Sequence, residues 1–375
     1  MGLPPFRSPF LVAVTLTWIA SPLACGSSSG SDLLAASGSG GAGGADSGTE
    51  ASAGTGGQAG SDQPDAQSDV SEEPGDQPDA QPDSSPEASA LPDPAQDGPF
   101  AHEASDGKAG SISVHCVVPT AGPSAPPYPI VLIAHGFQLE SSRYYPYADR
   151  LSSFGYVACT VDYSNLSGQD KDPVAIIQVL DWVIAESAKP SGPLAGQTDA
   201  NLVGVMGHSR GGKAAVMAAS LDARFKAVLG LDPVNSCPGI GTCPDGIKAM
   251  ESMSIPSAFL GETVDDGSGG GLQPCAPAAD NYQKFYASAQ PPSLQVTVNG
   301  ANHMSFVSDL SNCLACGFCK TASADHQAVL DLAYSYTVAF FERRLRAIVQ
   351  YDDYLTGAKA QERYVDTGLA VLESK

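Results

Sequence analysis

The sequence predicts an α/β fold, a mostly parallel central sheet with helices on both faces. Three observations carry that expectation. From about Ser111 onward, short apolar runs alternate with longer stretches of helical spacing. Two of the runs, Pro129–Ala134 (PIVLIA) and Leu202–Met206 (LVGVM), are apolar along their whole length, as strands covered on both faces are. The chain left after the N-terminal segments, roughly 270 residues, is an ordinary size for one such domain with a large core.

Element by element, Ser111–Val118 reads as a strand and Pro129–Ala134 as a buried one. Tyr144–Phe154 has helical character, and Tyr156–Val161 is the next strand. Val174–Ala188 places Ile176, Ile177, Val179, Leu180, Val183 and Ile184 at helical spacing. Leu202–Met206 is followed by an Ala-rich helix over Arg210–Leu221. Phe225–Leu231 and Ser257–Leu260 continue the strands, Asn281–Ala287 is a helix, and Leu294–Val298 is a strand. Ala324–Ala347 forms a long C-terminal helix, and the tail Tyr351–Lys375 is expected to lie back over the surface.

Everything before this domain has another character. Residues 26–107 carry sixteen Asp and Glu, no Lys or Arg, and otherwise mostly Gly, Ser, Ala, Pro and Gln. Such a segment cannot bury enough apolar surface to offset chain entropy, so a disordered acidic tether is expected. The repeat DQPDAQ at Asp62–Gln67 and Asp76–Gln81 marks low complexity. Of the formal charge of −22, Arg7 contributes +1 and the tether −16, which leaves −7 for the remaining chain. Neither part has a basic stripe, so nucleic acid is not an expected partner.

Residues 1–25 have the layout of an export signal: Arg7, then a mostly apolar stretch from Pro9 to Ala20 that is short for a membrane span. Ala24-Cys25-Gly26 resembles a bacterial lipobox, although Pro22 stands where leucine is usual. The resemblance implies lipidation at Cys25 and a membrane-anchored lipoprotein of the cell envelope; cleavage after Ala24 and secretion is the alternative. The division expected is therefore a signal over 1–25, a tether over 26–107 and a globular domain over 108–375.

Export bears on the cysteines. Of nine, eight remain beyond Cys25, an even number that reads as disulfides. Cys237 and Cys243 flank a short Pro/Gly loop and are expected to pair. Cys116 and Cys159 fall in two strands that can face each other. Cys275 would then join the cluster Cys313-x-x-Cys316-x-x-Cys319. That cluster has the spacing of part of an iron–sulfur or zinc site, but no fourth ligand is evident, so no metal is expected.

The chemistry centres on Gly207-His208-Ser209-Arg210-Gly211, a G-x-S-x-G pattern between a buried strand and a helix. That is the setting of a nucleophile elbow; an incidental serine in a strand-to-helix turn is the plain alternative. A serine hydroxyl needs a base. Of six histidines, His303 lies in the loop directly after the strand Leu294–Val298, where the base is expected. The acid that orients it has several candidates at strand ends: Asp232, Asp265, Asp266 and Glu262. Oxyanion donors are expected from the backbone N–H groups of Arg210, after the serine, and of Phe137, in the loop His135-Gly136-Phe137-Gln138. Phe137, Met304 and Phe306 could line an acyl or alcohol pocket, and core packing is the alternative for the last two.

These residues resemble the α/β-hydrolase superfamily. The elbow Gly207 to Lys213 (GHSRGGK), the segment Asp232-Pro233-Val234 and the segment Pro274-Cys275-Ala276-Pro277 are similar to those of chlorophyllases. The short interval from Ser209 to Asp232 is similar to that of platelet-activating-factor acetylhydrolases, and the HGF loop to that of cutinase-like polyesterases. The resemblance implies Asp232 as the triad acid with Ser209 and His303, and a carboxylic ester hydrolase that needs no cofactor. It leaves open whether the ester is small or polymeric. An amidase or peptidase with the same triad, or a binding protein on a hydrolase fold, are the rival functions. The fold needs no second copy, and a monomer is expected.

Overall fold

The computed structural model describes residues 91–165, 168–237, 242–265 and 274–375. The residues expected to form an export signal, Cys25, most of the expected tether and Asp266 therefore lie outside the described residues.

Among the described residues nine strands form one sheet: β1 (Ala101–Ala109), β2 (Ile112–Ala121), β3 (Tyr128–Ala134), β4 (Val157–Asp162), β5 (Thr198–His208), β6 (Phe225–Leu231), β7 (Ser257–Glu262), β8 (Ser293–Val298) and β9 (Ala370–Ser374). Their order is β1-β2-β4-β3-β5-β6-β7-β8-β9. From β4 across to β8 every neighbouring pair is parallel, while β1, β2 and β9 add antiparallel ladders at the margins. This is the mostly parallel α/β sheet expected from the alternation, in the α/β-hydrolase arrangement that the resemblance implied.

The helices are α1 (Tyr145–Ser153), α2 (Asp172–Ser187), α3 (Arg210–Leu221), α4 (Gly246–Glu251), α5 (Tyr282–Ser288) and α6 (His326–Arg344), followed by short turns over 349–365. They divide the core into two layers. Along β3, Val131 and Ile133 join the core under α1 and α6, while Ile130, Leu132 and Ala134 join the core under α2 and α3. The strand is apolar throughout because both of its faces are covered. Among the described residues no helix is long and apolar enough to cross a membrane.

The structure differs from expectation at the margins. β1 begins at Ala101, inside the stretch that composition assigns to the tether, and pairs with β2 along its whole length. Its side chains are mostly exposed, so backbone ladder bonds rather than apolar burial order it. The tail does more than cover the surface: β9 pairs with β8 and closes that edge. The helix α4 was not expected either; the Asp245 side chain caps it by accepting the Lys248 N–H at 3.1 Å.

All eight cysteines of the described domain are paired: Cys116–Cys159, Cys237–Cys243, Cys275–Cys319 and Cys313–Cys316. Cys116 and Cys159 are register partners in β2 and β4. The sulfurs of the Cys313–Cys319 cluster are all used in disulfides, so they offer no thiolates for an iron–sulfur or zinc site.

Candidate active site

The site is built on the C-terminal ends of β3, β5, β6, β7 and β8, the rim on which open α/β sheets bind ligands. β5 runs into α3 through one residue, Ser209, whose φ of 56° and ψ of −124° are strained for a side chain-bearing residue. Glycines make the turn possible. A Cβ on Gly207 would come 2.3 Å from the Gly211 carbonyl oxygen, and one on Gly211 would come 2.2 Å from that of Ala134. The Ser209 N–H donates to the Leu231 carbonyl at 3.0 Å, tying the elbow to β6.

His303 opens a short 3-10 turn, His303–Phe306, beyond the end of β8. The turn is fixed by a reciprocal pair: Asn302 N–H donates to Ser305 Oγ at 3.0 Å, and Ser305 Oγ donates to Asn302 Oδ1 at 2.9 Å. The ring bridges two side chains. Nε2 lies 2.8 Å from Ser209 Oγ, and Nδ1 lies 2.6 Å from Asp232 Oδ2. All three residues are buried, with Ser209 8 % exposed. Asp232 follows β6 with a φ of 42°, and its N–H donates to the Leu260 carbonyl at 2.6 Å. Burial pushes the Asp232 carboxyl up, against the His303 hydrogen bond and charge that pull it down.

The other described acids sit elsewhere around the histidine. Asp265 Oδ2 accepts the backbone N–H of His303 at 3.2 Å, and Oδ1 that of Lys320 at 2.9 Å. Glu262 Oε2 accepts the N–H groups of Val264 and Asp265. Neither is bonded to the His303 ring.

The HGF loop lies against the elbow. A Cβ on Gly136 would stand 3.4 Å from Ser209 Cβ. The Phe137 N–H meets no acceptor among the described residues, while the next N–H, of Gln138, donates to Asn165 Oδ1 at 2.9 Å. Arg210 opens α3, so its N–H lies at the positive end of the helix dipole. Its guanidinium is occupied by Asp172, with Nε donating at 2.6 Å and Nη2 at 2.8 Å, and it lies 5.9 Å from the Phe137 ring centroid.

Phe137 is half-buried beside the elbow. Met304 is 7 % exposed, and Phe306 is fully buried in the core under α6. Phe306 thus has no surface to present as a pocket wall. Its place follows from the 3-10 turn, which points it inward and lets its carbonyl accept the Tyr147 hydroxyl at 2.8 Å.

Tyr144 is a contributor that sequence reasoning missed. Its hydroxyl lies 2.7 Å from His208 Nδ1 and receives the Gly136 N–H at 3.4 Å. His208 Nε2 lies 2.9 Å from the His303 carbonyl oxygen. Burial, helped by the neighbouring His303, pushes the His208 pKa well down, so the ring is neutral. The partners assign its tautomer: Nδ1 accepts from the Tyr144 hydroxyl and Nε2–H donates to the carbonyl. One chain of bonds therefore links the HGF loop, the elbow and the histidine loop. No periodicity or motif marks Tyr144, because its partner is 64 residues away.

Residues 104–362 match the chlorophyllase family model. The chain is 27 % identical over 229 residues to chlorophyllase-1 of Arabidopsis thaliana, covering 58 % of this chain and 69 % of that protein. It is 26 % identical over 249 residues to the chloroplastic chlorophyllase-1 of Citrus unshiu, covering 60 % and 75 %. A bis(hydroxyethyl) terephthalate hydrolase of Streptomyces coelicolor is 28 % identical over 179 residues, covering 47 % of this chain and 50 % of that protein.

Proposed function

This chain belongs to the chlorophyllase family, and from that premise we propose that it is a serine hydrolase whose reacting group is Ser209, His303 and Asp232. At the coarser level it is a carboxylic ester hydrolase of the α/β-hydrolase type. The observation that carries the finer reading is the hydrogen-bonded relay from Ser209 Oγ through His303 to Asp232, at 2.8 and 2.6 Å.

In this mechanism Ser209 Oγ attacks the ester carbonyl carbon as its proton passes to His303 Nε2. Asp232 holds the Nδ1–H and balances the imidazolium that forms. The carbonyl oxygen becomes an oxyanion and is received by the N–H groups of Phe137 and Arg210. The intermediate collapses, the ester C–O bond breaks, and His303 returns the proton to the departing alcohol. Water, deprotonated by His303, then attacks the acyl-enzyme, and the acid leaves as Ser209 is regenerated. Phe137 and Met304 are the proposed apolar contacts to substrate.

The relatives include chlorophyllases and a bis(hydroxyethyl) terephthalate hydrolase, so the proposed substrate class is a carboxylic ester, small or polymeric. We further propose that Cys25 is lipidated, on the resemblance of Ala24-Cys25-Gly26 to a lipobox. The test is fluorophosphonate labelling beside hydrolysis of p-nitrophenyl esters, for the native protein and Ser209→Ala. The substitution is expected to abolish labelling and lower kcat by at least about 10³-fold. Labelling or turnover that survives in Ser209→Ala overturns the assignment, and well-folded native protein that neither labels nor turns over supports a binding role.

A further inference from the structure

Glu262 ends β7 fully buried, and the mechanism above does not use it. Two more fully buried carboxyls stand near it, Asp232 and Asp265. Glu262 and Asp232 close neighbouring parallel strands, with Leu231 paired in register to Leu260. Each has one oxygen, Glu262 Oε1 and Asp232 Oδ1, that is buried without a hydrogen-bond partner among the described residues. The other Glu262 oxygen gathers the Val264 and Asp265 N–H groups and so shapes the loop 263–265. That loop is the seat of the histidine. Thr263 Oγ1 accepts the Gly300 N–H at 2.9 Å, Val264 N–H donates to Ala301 at 3.2 Å, and Asp265 accepts the His303 N–H.

Charge decides what this arrangement can be. Three ionised carboxylates packed together around one imidazole carry a desolvation cost of several kcal/mol each. Asp232 has the His303 ring, and each Asp265 oxygen receives a backbone N–H. Both N–H donors to Glu262 fall on Oε2, so its unpartnered Oε1 is the oxygen left to hold a proton. Burial first, then the Asp232 charge, push its carboxyl up to about 9, against the N–H bonds that pull it down.

We propose that Glu262 is a positioning residue for ester hydrolysis, a neutral carboxylic acid that seats the histidine loop and leaves Asp232 as the single carboxylate acting on the His303 ring. This rests on the reading of Ser209, His303 and Asp232 as the reacting group. When Glu262 loses its proton to water at high pH, a new negative charge stands beside Asp232 and disturbs the pairing of that carboxylate with the His303 ring. The titratable groups facing it are Asp232 from the end of β6, Asp265 on its own loop, His303 beyond them, and Tyr282 from α5. The Tyr282 hydroxyl donates to the Glu262 carbonyl at 3.3 Å, and burial pushes it up to about 12, beyond the range concerned.

Glu262→Gln keeps the shape and an acceptor for the two N–H groups but cannot ionise. The experiment follows kcat/KM for p-nitrophenyl butyrate, and the rate of fluorophosphonate labelling, from about pH 6 to about pH 10, with circular dichroism at each pH. Native protein is expected to lose about tenfold between about pH 8 and pH 10, the loss that one ionisation near 9 produces. Glu262→Gln is expected to keep its neutral-pH rate and stay level across that range. An identical basic limb in Glu262→Gln overturns the proposal and assigns the limb to another group, such as Lys213, whose ammonium burial pushes down to about 8. Native protein that stays fully active at about pH 10, or whose loss tracks unfolding, overturns it without recourse to the variant. Ser209→Ala assayed alongside separates the two readings. Residual turnover there sinks the triad, whereas a dead Ser209→Ala beside an unaltered Glu262→Gln profile sinks the role of Glu262 alone.

Discussion

At Ser209 the backbone adopts a conformation that costs of order 1–3 kcal/mol, and the surrounding contacts hold it there. Leu231 and Val234 grip the residue through its N–H and carbonyl, and the glycines on either side let two strands and a helix crowd against it. The neighbouring His208 does not compete for the role of base. It is neutral, buried and engaged at both nitrogens, so it acts as a strut between Tyr144 and the His303 carbonyl. Tyr144→Phe removes the donor and leaves a buried ring nitrogen unsatisfied, at a cost of about 1–3 kcal/mol in stability. The same loss loosens the registry of three loops. Steady-state kinetics are therefore expected to show kcat lower by about tenfold with little change in KM, equivalent to one hydrogen bond in the transition state.

At the scale of elements, the packing of α3 against β3 is what brings the helix N-terminus to the site. Gly211 is the closest point of that contact: an added Cβ would meet the carbonyl oxygens of Ala134 and His135 at 2.2 and 2.5 Å, and neither is a flexible side chain. Gly211→Ala is expected to cost about 3 kcal/mol, through overpacking that the backbone cannot relieve. Gly317→Ala, where a Cβ meets nothing within 4 Å, is the control and is expected to be close to neutral. Urea unfolding of both variants measures the difference. The interior elements were legible in the sequence because continuous apolar runs and helical spacing record burial directly. β1 and β9 were not, because their side chains are largely exposed and their order comes from ladder bonds to strands far along the chain or already in the sheet.

For the whole molecule, four disulfides tie the sheet and the site loops together. Cys116–Cys159 and Cys275–Cys319 span 43 and 44 residues, and loop entropy assigns each about 4 kcal/mol. Cys275–Cys319 and Cys313–Cys316 brace the segment that follows His303. Reduction is therefore expected to lower stability by more than about 4 kcal/mol and to depress activity in the folded remainder. Thermal melts and ester hydrolysis with and without reductant read both effects. An unchanged Tm in protein shown to be fully reduced would remove the disulfides from this account.

By itself the sequence determined the α/β class, the position of the elbow at Ser209, the histidine that follows the last parallel strand, and the cysteine pairs forced by strand adjacency or short loops. Each of these is a local signal: periodicity, a turn between a strand and a helix, or a spacing of a few residues. Position along the chain left Asp232, Asp265, Asp266 and Glu262 open as the acid, and the resemblance to chlorophyllases alone favoured Asp232. The tertiary structure gives the 2.6 Å contact to Nδ1 to Asp232, while Asp265 takes the backbone N–H and Glu262 takes the loop. It also moved Phe306 into the core and brought Tyr144 to His208. The physical reason is common to all of these. Burial and hydrogen-bond partners depend on which distant segments are packed together, and no short window of sequence contains that information.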